Sequence, residues 1–108
     1  MKSPLPLALR AAAALLAGLA IGPAMAQDAN LARNLAASCA NCHGTNGNAR
    51  GDMKPLAGMP ADKLLAMMAD YMSGAQPATI MHHISKGYTD AQIKAIAGYF
   101  AAQKAAGK

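Results

Sequence analysis

Cys39-Ala40-Asn41-Cys42-His43, followed at once by Gly44, is the stretch on which the rest of this sequence turns. Two thiols three residues apart sit on one helical turn, and an imidazole comes directly after the second. A disulfide between the two would close a loop too small to stabilise much, and it would leave His43 unexplained. A thioredoxin-like redox site needs such a pair beside a β-α-β pattern, which this chain lacks. A zinc site needs four ligands. His82 and His83 could join the two cysteines, but a gap of roughly forty residues matches no common zinc spacing. The pattern C-x-x-C-H is instead that of covalent c-type haem attachment. Both thiols can reach the vinyl groups on one side of a porphyrin and form thioethers, while the histidine projects under the ring to bind iron axially. Gly44, with no Cβ, is expected to let the backbone turn away close to the macrocycle.

Upstream of the motif lie Lys2 and Arg10, an apolar run from Ala11 to Ile21, a Gly22-Pro23 break and Ala24-Met25-Ala26. This predicts a cleaved secretory signal over residues 1–26. Its apolar run is shorter than the roughly 18 to 20 residues a membrane-spanning helix needs. The expected location is therefore the periplasm, with no stable membrane insertion after cleavage and an oxidising compartment around the cysteines. Residues 27–108 then form one domain. Its formal charge falls from +5 to +3 once Lys2 and Arg10 are gone.

Downstream, residues 29–38 are expected to form a short helix capped by Asp28, with Leu31 and Leu35 on one face. Glycine, proline and asparagine crowd residues 44–60, which predicts a long wrapping loop without regular structure. The run 61–73 carries Leu64, Leu65, Met68 and Met72 at helical spacing, with Gly74 placed to end the helix. Residues 79–86 predict a short helix stopped by Gly87. Thr89-Asp90-Ala91-Gln92 is a capping box, and behind it Ile93, Ile96, Ala97 and Phe100 repeat at helical intervals to the chain end. The sequence has no valine and no strand-like alternation, so the expected fold class is all-α, with three main helices and a short ligand-bearing helix.

Composition narrows the function further. A chain of 108 residues leaves no room for a dinucleotide-binding unit beside another domain, and its basic density is too low for a nucleic-acid binder. After Ala26 the apolar residues include 19 alanines, and the thin remainder calls for an added staple. A haem supplies one as a large apolar disc. Its iron needs a sixth ligand, and the choice is between methionine and histidine. Met53 and Met59 lie close to the cysteine motif in sequence. Met67, Met68 and Met72 belong to a helix stripe of the kind that usually builds core. Met81 stands apart in the short helix between Ile80 and Ile84 and is the expected ligand, with His82 or His83 as the alternative.

The segments CANCHGTNG, PLAGMP and PATIMHHISKGYTDAQIKAIAGYFAAQ resemble the class I c-type cytochromes. They look most like the cytochrome subunits of flavocytochrome c sulfide dehydrogenases, which are related to the c553 and c4 types. The resemblance implies the cytochrome c fold around one covalently bound haem, thioethers at Cys39 and Cys42, and iron ligation by His43 and Met81. It also implies that the Pro55 carbonyl accepts a hydrogen bond from the second ring nitrogen of His43, and that the first and last helices cross, setting Leu31 or Leu35 against Ile96 and Phe100. With both axial positions filled, the expected role is electron transfer rather than catalysis. The electrons would come from a flavoprotein (FAD) subunit that oxidises sulfide; the alternative is a freely diffusing carrier serving a terminal oxidase or another redox protein. Arg50, Lys54, Lys63, Lys86 and Lys94 could form a docking face for such a partner.

Overall fold

The computed structural model describes residues 30–107, so the expected signal segment and Asp28 lie outside the described residues. Five α-helices follow in order: α1 (Leu31–Ala37), α2 (Ala40–His43), α3 (Ala61–Ser73), α4 (Met81–Ile84) and α5 (Asp90–Ala101). Tight 3₁₀ turns cover Thr45–Gly47 and Ser85–Gly87, and no strand occurs among the described residues.

The last helix organises the rest. Its start is the expected capping box: Thr89 Oγ1 accepts from the Gln92 N–H at 3.2 Å, and Gln92 Oε1 accepts from the Thr89 N–H at 2.9 Å. Ile93, Ile96, Ala97 and Phe100, at the predicted spacing, are all buried. Both α1 and α3 pack against this face. From α3 come Leu64 and Met68, one turn apart; from the loop before it comes Met59. Gly74, at φ 82°, ends α3 as expected.

Three expectations need correction. In α1, Leu31 is 46% exposed, while Leu35, half-buried, does pack against the core, and the fully buried residue is Ala36. A seven-residue helix lying close to α5 presents its smallest side chain to the contact, where Ala97 of α5 is equally small. The helix expected over 79–86 is α4 plus the following 3₁₀ turn, because Ile80 at φ −140° is not helical. The final helix stops at Ala101, and Asn48 ties down the tail beyond it: its Nδ2 donates to the Lys104 carbonyl at 3.3 Å and its Oδ1 accepts from the Ala106 N–H at 2.6 Å.

The wrapping loop contains one 3₁₀ turn where none was expected, built from Gly44 and Gly47 at φ 78° and Asn46 at φ 54°. Gly47 is buried under the last helix. A Cβ there would lie 2.6 Å from the Ala57 nitrogen and 2.8 Å from the Phe100 ring. Gly44 is needed within the loop as well, since a Cβ there would overlap the Asn48 carbonyl.

Candidate functional site

A cavity of about 490 Å³ opens between α2, α3, α4 and the wrapping loop, with Leu56, Leu64 and Ile96 among its apolar walls. Cys39, Cys42, His43 and Met81 all line it. The first three are placed by α2: Cys39 precedes its first residue and His43 is its last, so the two sulfurs and the imidazole leave one short helical turn. Cys39 is half-buried, Cys42 is exposed, and the two are not joined to each other. Burial pushes the Cys39 thiol above its ordinary pKa.

Ser38 is itself anchored. Its hydroxyl donates to the Leu35 carbonyl at 3.2 Å, which uses its one proton, so the Tyr88 hydroxyl, 2.8 Å away, donates to Ser38. Tyr88 also lines the cavity, and the pair ties the cysteine segment to the turn before α5. Nothing in residue type or spacing announces this contact, which crosses fifty positions.

The imidazole of His43 is held from behind. Its Nδ1 lies 2.6 Å from the Lys54 carbonyl oxygen. A carbonyl can only accept, so Nδ1 carries the proton and Nε2 keeps its lone pair for a metal. The acceptor expected from family resemblance was the carbonyl of Pro55, one residue later. The observed acceptor belongs to the Lys54–Pro55 peptide, whose nitrogen is the proline's and has no hydrogen. Pro55 therefore acts by holding Lys54 extended, which aims the Lys54 carbonyl.

Among the sixth-ligand candidates, Met81 opens α4 half-buried and faces the cavity. Met53, Met59, Met67 and Met68 also line it, and proximity in sequence does not keep Met59 away. Met59 and Met68 are spent in the core, whereas Met72 is not a wall residue. Neither His82 nor His83 lines the cavity; their rings lie on each other, centroids 3.9 Å apart. The two cysteines and these histidines do not converge, and no group of three or more His, Cys, Asp or Glu suited to a bare metal ion occurs among the described residues. Two thiols, one imidazole with a free Nε2 and a thioether around an apolar void are the donor set of an iron porphyrin. Of the basic residues expected to form a docking face, Lys54 stands at this cavity, while Arg50 borders a separate groove behind α2. No helix among the described residues is long and apolar enough to cross a membrane.

Comparison with known proteins gives the same picture. Residues 29–104 match the cytochrome c family model. The chain is 36% identical over 66 residues to the cytochrome subunit of sulfide dehydrogenase of Chlorobaculum tepidum, a match covering 61% of this chain and 60% of that protein. It is 35% identical over 75 residues to the thiosulfate dehydrogenase electron acceptor of Thiomonas intermedia, covering 68% of this chain and 35% of that one. It is 34% identical over 88 residues to cytochrome c-553 of Nitratidesulfovibrio vulgaris, covering 77% of this chain and 85% of that one. The chain thus spans less than two thirds of the first two of these relatives and most of the third.

Proposed function

The chain belongs to the cytochrome c family, whose members carry covalent haem c, and from that premise we propose that it is a one-electron carrier exported to the periplasm. Residues 1–26 are the cleaved signal and residues 27–108 the monohaem domain. Cys39 and Cys42 would hold the haem through thioethers, and His43 and Met81 would donate to its iron. The observation that carries this is the convergence of two thiols, a singly tautomeric imidazole and the Met81 thioether on one apolar cavity.

When bound, the haem supplies an iron centre that changes oxidation state by one electron. The chain's residues decide how well it does so. Lys54 keeps the His43 proton on Nδ1 and the lone pair on Nε2. The apolar walls hold water away, which disfavours the more highly charged ferric state. Met81, a soft sulfur donor, also favours the reduced iron, and both effects raise the potential into a range suited to accepting electrons from a flavin. With His43 and Met81 both holding the iron, the chain would offer a substrate no open position there, and the haem would supply one-electron exchange with a partner.

For that partner, the flavoprotein (FAD) subunit of a sulfide dehydrogenase is the source of electrons best supported, through likeness to a sulfide dehydrogenase cytochrome subunit. A second reading, a freely diffusing carrier passing electrons to a terminal oxidase or other redox enzyme, is favoured by the 85% coverage of a cytochrome c-553. Affinity capture of the haem-loaded protein from its native cell extract, followed by flavin fluorescence of the eluate, separates them. A stoichiometric flavoprotein supports the subunit. A haem protein eluting alone, yet reduced on addition of a separate dehydrogenase, supports the free carrier.

A further inference from the structure

Behind the carbonyl that holds His43, a run of short hydrogen bonds leads back to the last helix. Tyr99 Oη donates to Asn46 Oδ1 at 2.6 Å. Asn46 stands at φ 54°, a left-handed conformation in which asparagine is among the few tolerated side chains. The next residue, Gly47, donates its N–H to the Gly44 carbonyl at 3.0 Å, and its own carbonyl accepts from the N–H groups of Leu56 at 2.9 Å and Ala57 at 3.1 Å. Between Leu56 and Lys54 stands only Pro55, whose ring fixes its own φ and keeps Lys54 extended. The Lys54 carbonyl is therefore carried on a stiff strap whose near end is fastened to Gly47, and Gly47 is placed by Asn46 and by the Phe100 ring beneath it.

We propose that Tyr99 and Asn46 are positioning residues for the imidazole of His43, their hydrogen bond setting how tightly the Lys54 carbonyl grips Nδ1 and so how strongly His43 donates to iron. This rests on the reading of His43 as an axial ligand. A ring whose Nδ1–H is held by a good acceptor is a more basic ligand, and a more basic ligand favours the ferric state. Releasing Tyr99 from Asn46 lets the strap relax, weakens the grip on Nδ1 and raises the reduction potential. The site lies outside the cavity walls, since neither Tyr99 nor Asn46 lines it.

The test uses three variants of the full haem-loaded chain: Tyr99→Phe, Asn46→Gly and the two combined. Tyr99→Phe keeps the edge-on ring packing against Phe100, whose centroid lies 5.4 Å away, and removes only the hydroxyl. Asn46→Gly tolerates the left-handed backbone and removes the side chain with its carboxamide. Two quantities are read: the reduction potential, and the solvent-exchange rate of the His43 Nδ1 proton by NMR of the reduced protein. Each single variant is expected to raise the potential and speed that exchange, and the double variant to go no further than the larger single, as two ends of one bond must. A fall in Tm with potential and exchange unchanged in both variants would mean that the bond merely braces the fold, and the proposal would be overturned. Fully additive shifts in the double variant would overturn it too. If the His43 ring protons of the wild-type protein are not displaced by the haem ring current, the axial assignment itself falls, an outcome distinct from either of the others.

Discussion

The contact between His43 Nδ1 and the Lys54 carbonyl was legible only to within one residue, although its neighbours were plain in the sequence. Cys39, Cys42 and His43 stand out because their residue types and fixed spacing form a motif, and they line one cavity. A backbone carbonyl has no residue type, and only the stiffness of Pro55 hints at which peptide is presented. The proposal of Met81 rests on elimination, partly by sequence distance, and Met59 shows that distance along a loop is no guide to place. The assignment has a direct check. Met81→Ala is expected to lower the reduction potential, abolish the weak far-red charge-transfer band between sulfur and ferric iron, and admit carbon monoxide to the reduced protein. Met68→Ala, in the core, is expected to cost about 2 to 5 kcal/mol of stability and leave the band in place. Retention of the band in Met81→Ala would exclude this methionine as ligand. Gly47→Ala should be costlier than a surface glycine change, because left-handed strain of about 1 to 3 kcal/mol adds to overlap with Phe100. Chemical denaturation of Gly47→Ala beside Gly51→Ala, whose new methyl would meet nothing, separates overlap from strain.

At the scale of single elements, legibility followed the strength of the local signals. In α5 a capping box and an unbroken helical repeat of bulky residues point the same way, and the structure has both. In α3 the apolar stripe and Gly74 agree equally well. In α1 they do not. Seven residues with two leucines among alanines allow either face inward, and the close approach to α5 selects Ala36, which no periodicity weighting would rank above leucine. The α4 segment is readable in position but not in length, since its start depends on the non-helical backbone of Ile80. The reciprocal bonds of the box give a clean expectation: Thr89→Ala should destabilise the haem protein by about 1 kcal/mol. Thermal melts should show a lower midpoint, with Thr89→Ser recovering most of it. An unchanged midpoint would mean that packing alone starts the helix.

For the whole molecule, the fold class was readable because no strand-forming pattern competes with the helices, and because so alanine-rich a chain needs a large apolar partner. The buried side chains include only Leu64, Met59, Met68, Ile93, Ile96 and Phe100 larger than alanine or serine, among the described residues. So small a core is expected not to hold the chain without haem. A Cys39→Ala, Cys42→Ala variant should show little cooperative helix by circular dichroism, whereas a sharp melt like that of the wild type would place the stability in the polypeptide itself. The crossing of α1 with α5 adds a matter of timing. A chain that emerges from a membrane pore amino end first delivers its cysteines early and its organising helix last. Until residues 90–101 arrive, Ala36, Leu64 and Met68 have no surface to close on, and the long loop has no floor. If the chain is exported and loaded as proposed, the thiols and His43 would still be within reach of the porphyrin when the cavity's last wall emerges, and the final dozen helical residues would act as a latch that shuts only after the attachment points have been exposed.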